Sequence, residues 1–253
     1  MLLLIGLGLN TKDISVRAVE AIRNADGVLL ERYTSFITDE YVKYLEEAAG
    51  KKIAEIYRTD LEENVKVTVS QARDKDVAIL FPGDPLIATT HKIIIEAAKD
   101  LKIKTKVFHA PSILTAAIGE SGLDAYRFGP ITTIPFWYER YKPTSFLEVV
   151  KRNMQNNEHT LLLADIDREG NSPMRLGYAV QILKTADEEK GYGLVKEDTH
   201  VIVVANAGRE DGLVLYDRIA RLEKYESGTK GKAISIIMMA KLSFAEEEAV
   251  RRL

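Results

Sequence analysis

The stretch that decides the fold is Val77-Ala78-Ile79-Leu80-Phe81-Pro82-Gly83-Asp84-Pro85. The apolar run Val77–Leu80 predicts a strand buried on both faces, and the four residues from Pro82 predict a tight loop at its end. An amphipathic helical pattern over 89–101 and a further strand pattern over 105–108 follow it. Strand, helix and strand in this order predict a parallel sheet.

The chain before this stretch repeats the same alternation. We predict strands at 2–7 and 27–30 and helices at 14–25, 39–49 and 65–72. Asp13 is the predicted N-cap of the first helix, and Gly50 follows the second at the position where glycine ends a helix. The first half is therefore predicted to be an α/β domain with a largely parallel sheet and helices on both faces.

After Pro111 the pattern changes. We predict helices at 112–119, 145–153, 172–184 and 243–252 and strands at 131–135, 160–164, 201–205, 214–216 and 234–239. Ser145 with Glu148 reads as a capping box, and Ser172-Pro173 as a helix start. Some of these strand pairs lack an intervening helix, so the second half is predicted to be an α/β domain with a mixed sheet. The predicted domains are 1–110 and 111–253, with the boundary within 109–125.

Composition excludes several classes of function. The 253 residues carry a net charge of −3 and no cysteine. Disulfides, thiolate zinc sites, iron–sulfur clusters and thiol nucleophiles are therefore excluded, and the charge gives no basic footprint for nucleic acid. The apolar start Met1–Ile5 has no basic region before it and stops at Gly6, which predicts neither a signal peptide nor a membrane span. We expect a cytoplasmic protein with no membrane partner and no direct nucleic-acid partner.

The first loop, Gly6-Leu7-Gly8-Leu9-Asn10, follows a strand and precedes a helix. A dinucleotide fingerprint requires a third glycine three residues after the second, and Thr11 stands there. The loop is either a ligand loop or a plain tight turn, and the sequence alone leaves both open. The four histidines, His91, His109, His159 and His200, lack metal-ligand spacing, so we expect no metal site.

Two further loops follow neighbouring strands of the predicted sheet. The first contains Asp84, whose carboxylate can bind nearby backbone amides, and the second is His109-Ala110-Pro111-Ser112-Ile113. Parallel strands bring such loops to one edge of the sheet, where open α/β sheets bind their ligands. We therefore expect a ligand site at this edge.

Taken together, these segments resemble the diphthine synthases, a family within the tetrapyrrole methylase superfamily. The likeness extends over nearly the whole chain and is carried by Ile5–Leu9, Glu31 with Tyr33-Thr34-Ser35, the PGDPLIATTH segment 82–91, the HAPSI segment 109–113, and the later strands 160–165 and 201–208.

The resemblance implies a methyltransferase that uses S-adenosyl-L-methionine and releases S-adenosyl-L-homocysteine. Its implied substrate is translation elongation factor 2, on which it N-methylates a 3-amino-3-carboxypropyl-histidine to form diphthine in diphthamide biosynthesis. It also implies two α/β domains with the cofactor in the cleft between them, and a homodimer.

Residue by residue, the family's cofactor contacts fall on eight positions of this chain: Leu9, Asp84, Ile87, Ser112, Ile113, Ala164, Ala207 and Ile234. We expect no indispensable catalytic acid or base and no metal, because a sulfonium donor already activates the methyl group. Relatives from archaea carry Gly-Lys-Leu-His after the last strand, where this chain has Ala240-Lys241-Leu242-Ser243.

Other functions remain open at this point. The second candidate function is that of a methyltransferase of the same superfamily that acts on a corrin or porphyrin precursor. The Gly-x-Gly-Pro-Gly loop of that group is replaced here by residues 6–10. A ribosomal-RNA methylase is a third alternative, weakened by the acidic charge balance. A non-catalytic nucleotide-binding module is the alternative from a different class.

Overall fold

The computed structural model describes residues 1–33, 37–167 and 172–253. They form two compact units, Met1–Leu114 and Thr115–Leu253. We retain the division into domains 1–110 and 111–253 as a proposal about which parts of the chain fold independently. No helix among the described residues is long and apolar enough to cross a bilayer.

The first unit contains the parallel sheet. Its strands are β1 (Leu2–Gly6), β2 (Gly27–Glu31), β3 (Ala54–Ile56), β4 (Val77–Phe81) and β5 (Thr105–Phe108). They lie in the order β3-β2-β4-β1-β5, and every neighbouring pair is parallel. The predicted parallel sheet is confirmed. β3 was not predicted, because a strand of three residues at the edge of a sheet is too short to show a periodic pattern.

Helices cover both faces of this sheet. They are α1 (Val16–Asn24), α2 (Asp39–Ala49), α3 (Val65–Ser70), α4 (Lys92–Asp100) and α5 (Ile113–Glu120), which crosses from the first unit into the second. Side chains alternate along β1: Leu3 and Ile5 pack with α1 and α2, and Leu2 and Leu4 pack with α3 and α4. All four are buried, which is why this strand has no polar face.

The second unit contains the mixed sheet. Its strands are β6 (Thr132–Ile134), β7 (Thr160–Ala164), β8 (His200–Ala205), β9 (Leu213–Arg218) and β10 (Ile234–Met238), in the order β6-β7-β10-β8-β9. Only β6 and β7 pair in parallel; the other pairs are antiparallel. The helices are α6 (Phe146–Gln155), α7 (Leu176–Lys190), α8 (Glu226–Thr229) and α9 (Phe244–Val250). The predicted mixed sheet is confirmed.

Short helical turns of other types lie at Thr59–Glu63 in the first unit and at Ala125–Arg127 and Ile219–Tyr225 in the second.

Three predicted features of helix starts differ from the structure. Ser15, not Asp13, caps α1 through a bond from the Ala18 amide. α6 begins directly after Ser145, but the predicted capping box is absent: Ser145 has helical dihedral angles, whereas a capping side chain needs extended backbone to turn its hydroxyl toward the first turn. α7 begins at Leu176, after Arg175, and not at Ser172.

A buried charged network fixes the end of the second unit. Glu246 on α9 is 2% exposed and accepts hydrogen bonds from His159 Nε2 at 3.0 Å, from the Asp124 amide at 3.2 Å and from Arg127. It also closes a capping box with Ser243. The Ala240 amide donates to His159 Nδ1 at 3.0 Å, so the neutral ring carries its proton on Nε2.

This network explains the divergent segment 240–243. Ala240 donates to His159, the Lys241 carbonyl accepts from Arg127 at 2.6 Å, and Ser243 caps α9. In this chain the segment therefore holds α9 against the rest of its unit.

Candidate functional site

The loops that follow β1 and β4 are joined by backbone hydrogen bonds. The Leu7 amide donates to the Phe81 carbonyl at 2.8 Å. Gly8 and Gly83 then bond to each other in both directions, at 3.2 Å and 2.8 Å, as an antiparallel bridge. The two loops therefore form one connected structure beyond the end of the sheet.

Glycine is required at two positions in this structure. A Cβ on Gly6 would lie 2.7 Å from the Gly83 carbonyl oxygen, which no real side chain tolerates. Gly8 has a φ of +75°, and a Cβ there would lie 2.2 Å from that of Asp13. The close approach of two backbones explains both glycines.

Asp13 binds the backbone amides of the first loop. Its Oδ2 accepts the Leu9 amide at 2.9 Å and the Asn10 amide at 2.8 Å. In a dinucleotide loop the backbone amides face the pyrophosphate, whereas here a carboxylate of the same loop binds them. This geometry favours the tight turn over a phosphate-binding loop.

Asp84 joins the loops after β4 and β5. Its side chain is buried; Oδ1 accepts the Leu86 amide at 2.9 Å, and Oδ2 accepts the Ala110 amide at 3.2 Å. His109 Nδ1 lies 2.8 Å from the same Oδ2, and the His109 side chain is two-thirds exposed. The expectation that these two loops meet at one edge is confirmed, although β1 lies between their strands.

The other predicted cofactor residues of the first unit also lie beyond the carboxyl ends of its strands. Leu9 follows β1, while Ile87 is 43% exposed in the Asp84 loop. Ser112 is buried and its Oγ accepts the Leu114 amide at 3.3 Å, and Ile113 begins α5. The structure therefore brings the five first-unit residues to the carboxyl edge of one sheet.

The three remaining predicted residues lie at one edge of the second sheet. Ala164 ends β7, Ala207 follows β8 and Ile234 begins β10. Because β10 lies between β7 and β8 and runs antiparallel to both, its first residue adjoins their last ones. The Asn206 side chain secures this edge by accepting the Ala233 amide at 2.9 Å.

A polar cluster beside the Asp84 loop was missed by sequence reasoning. Tyr33, Thr89 and His91 each bury a polar atom that has no hydrogen-bond partner within the described part of the chain. His91 belonged to the segment that carried the resemblance, but nothing in its spacing indicated an unsatisfied ring nitrogen. Thr34 and Ser35, also part of the resemblance, lie outside the described residues.

Residues outside 34–36 and 168–171 contain no group of three or more His, Asp or Glu side chains arranged to hold a metal ion. The described polar groups at the carboxyl edge of the first sheet include the buried carboxylates of Glu31 and Asp84, hydroxyls and backbone amides. Groups of these kinds form the polar part of sites for small organic ligands.

Comparison with known proteins identifies the family. Residues 1–223 match the family described as tetrapyrrole (corrin/porphyrin) methylases. The diphthine synthase of Archaeoglobus fulgidus is 38% identical over 99% of this chain and 94% of its own, and that of Methanocaldococcus jannaschii is 36% identical over 100% and 98%. A crystal structure of diphthine synthase matches with a TM-score of 0.88 and 35% identity over 99% of this chain and 94% of that one. A conserved hypothetical protein from Aeropyrum pernix matches with a TM-score of 0.90 and 31% identity over 100% and 88%. This chain therefore belongs to the tetrapyrrole methylase family, groups over its full length with the diphthine synthases, and is a methyltransferase.

Proposed function

We propose that this chain transfers methyl groups from S-adenosylmethionine to the amino group of a 3-amino-3-carboxypropyl-histidine on translation elongation factor 2, forming diphthine. The observation that carries the proposal is the similarity to diphthine synthases over the whole length of both chains. Among the methylases of this family, it supports a protein substrate over a tetrapyrrole.

The residues at the edge of the first sheet fit the chemistry of this cofactor. A carboxylate can accept about four hydrogen bonds, and Asp84 accepts two from backbone amides and contacts one histidine. It therefore retains capacity for a ligand, and its charge would offset that of a sulfonium. Exposed Ile87 supplies an apolar surface, and Ser112 a hydroxyl. We propose the same eight residues as cofactor contacts.

When bound, S-adenosylmethionine supplies a methyl group that is already activated on sulfur. The chain's own task is then to orient two reactants and exclude water. The acceptor amine attacks only after losing a proton, because an ammonium group has no lone pair. The Gly8–Gly83 bridge and the bonds of Asp84 fix the loops before any ligand arrives, and this rigidity supports an orienting role. We assign no residue as a catalytic acid or base.

The direct test uses labelled S-adenosylmethionine and elongation factor 2 that bears the unmethylated histidine adduct. Label on the factor is expected, and mass spectrometry of the modified peptide counts the methyl groups. Label on a tetrapyrrole precursor with none on the factor would overturn the proposal.

Asp84→Asn tests the cofactor site. The change keeps the shape of the side chain and removes its charge, so we expect the dissociation constant for S-adenosylmethionine to rise roughly tenfold to a hundredfold. Asp100→Asn is the matched control, because Asp100 lies exposed on α4 and pairs only with Lys66 at 3.0 Å among the described residues. Equal affinities for the two variants by calorimetry would contradict this role of Asp84.

We further propose a homodimer that works in the cytoplasm, where the elongation factor acts. Family similarity supports the dimer. Light scattering during size-exclusion chromatography is expected to give twice the 28.3 kDa of one chain. A mass of one chain at micromolar concentration would exclude it.

A further inference from the structure

Three side chains in and beside the loop after β4 bury polar atoms without a hydrogen-bond partner among the described residues. His91 is 2% exposed and its Nε2 has no hydrogen-bond partner, and the hydroxyls of Tyr33 and Thr89 are likewise buried and unpartnered among the described residues. Buried polar groups are normally satisfied, since an unsatisfied one loses its hydration without compensation. Polar atoms of this kind are able to bind a polar ligand group.

Two of the three groups are in contact, and the third is close to one of them in sequence. The rings of Tyr33 and His91 meet edge to face with centroids 6.2 Å apart, and Thr89 lies two residues before His91 in the same loop. The His91 ring also packs on Phe81 at 4.3 Å, which holds it in place. The His91 ring is thus fixed by packing between Tyr33 and Phe81.

The hydrogen-bonding character of each atom follows from its surroundings. His91 Nδ1 lies 3.2 Å from the Pro85 carbonyl oxygen, which can only accept, so Nδ1 carries the proton and Nε2 is an acceptor. Burial lowers the pKa of His91 to about 4, so the ring stays neutral near pH 7. The cluster therefore offers one neutral acceptor and two hydroxyl donors.

The position of the cluster relates it to the proposed cofactor contacts. β4 lies between β2 and β1 in the sheet, and Tyr33 follows β2 whereas His109 and Ala110, the partners of Asp84, follow β5. The loop after β4 thus has Asp84 on one side and Thr89 with His91 on the other. Between them Ala88 has a φ of +57°, a strained conformation of the kind found at binding sites.

We propose that Tyr33, Thr89 and His91 bind the amino-acid end of the methyl-acceptor side chain. His91 Nε2 accepts an N–H from its amine, and the two hydroxyls donate to its carboxylate oxygens. A neutral amine held by one N–H keeps its lone pair for the methyl group. This inference rests on the proposed function, since the acceptor's amino and carboxyl groups, carried on one carbon, supply the donor and the oxygens that the cluster lacks.

The test measures steady-state methylation of adduct-bearing elongation factor 2 by wild type and by Tyr33→Phe, Thr89→Val and His91→Asn. Tyr33→Phe and Thr89→Val each remove one hydrogen-bonding atom with little change in shape, whereas His91→Asn also removes the outer part of the ring. For all three we expect kcat/KM for the factor to fall roughly tenfold. For Tyr33→Phe and Thr89→Val the dissociation constant for S-adenosylmethionine is expected to stay as in wild type, and the Tm is expected not to fall. Tyr57→Phe is the control, because the Tyr57 hydroxyl is exposed and bonds Glu55 at 2.7 Å.

Two further comparisons separate binding from a structural role. His91→Gln returns an acceptor near the position of Nε2 and is expected to recover part of the activity that His91→Asn loses. Unchanged kcat/KM in both Tyr33→Phe and Thr89→Val, or losses matched by weaker cofactor binding or a lower Tm, would overturn the inference alone. Absence of methyl transfer to the factor by wild type would overturn the proposed function as well.

Discussion

Replacing Glu246 by Gln tests the buried network that holds α9. The side chain keeps its size but loses its charge, while Arg127 and His159 remain beside it. Burial raises the pKa of Glu246, but hydrogen bonds from the Ser243 amide, His159 and the Asp124 amide outweigh it and lower the pKa to about 2. The ionised form is therefore the one that the fold stabilises.

The size of the effect follows from that pKa. A carboxyl group whose pKa falls from its usual 4.5 to about 2 on folding contributes about 3 kcal/mol to the free energy of unfolding at neutral pH. This agrees with the roughly 3–5 kcal/mol lost when one partner of a buried ion pair is removed. Because the folded pKa is the lower one, the contribution is complete above pH 4.5 and disappears as the pH falls through 2.

Urea unfolding followed by tryptophan fluorescence measures this loss. Trp137 is the chain's single tryptophan and lies in the second structural unit, which also contains Glu246. We expect Glu246→Gln to lose about 3 kcal/mol at pH 7 and much less near pH 2. Glu247→Gln is the matched control, because its side chain is half exposed beside Arg251 and surface pairs contribute little. Equal stability of the two variants at pH 7, or a loss that persists at pH 2, would refute the reasoning.

Two more predictions concern the first loop and the buried histidine. Gly6→Ala places a methyl group 2.7 Å from the Gly83 oxygen, so thermal unfolding should show a loss of about 1–3 kcal/mol. Gly119→Ala, with open space at its Cβ in α5, should gain about 0.5–1 kcal/mol, and the reverse order would contradict the packing. Burial lowers the pKa of His91 to about 4, so the folded state disfavours the protonated ring and the free energy of unfolding falls as the pH drops from 6.5 toward 4. An NMR titration of the ring near 6.5 would exclude its burial.

The first sheet was predictable because its strands bury both faces. Leu2–Gly6 and Val77–Phe81 are continuous apolar runs ended by glycine or proline, and each is separated from the next strand by a helical pattern. Such runs need no knowledge of distant residues to be recognised. The second sheet was predicted as mixed for the complementary reason, since several of its strands follow one another without a helix.

Helix starts and the buried network depend on contacts that local patterns do not contain. Asp13 and Ser145 had the residue types of caps, but one binds the preceding loop and the other lies within helical backbone. His159 and Glu246 meet across 87 residues of sequence. Only the three-dimensional fold decides which of several equivalent polar residues reaches a given amide or ring.

The candidate site was predictable in part. Asp84 was correctly predicted to bind backbone amides, because proline and glycine around it indicate a rigid loop at a strand end. The cluster of Tyr33, Thr89 and His91 was not predictable, since an unsatisfied buried atom is defined by what fails to surround it. The sequence gives the order of residue types, whereas the surroundings of a buried polar atom depend on the three-dimensional fold.

The Gly8–Gly83 bridge has a consequence for chimeric and evolved variants. Each loop supplies the other's hydrogen-bond partners, and the Gly83 oxygen occupies the space that a side chain on residue 6 would need. A chimera that places a side chain at position 6 would therefore push the loop after β4 away from β1, even if every residue of that loop were kept. Residues 6–8 and residue 83 are thus best exchanged together when loops are grafted between relatives.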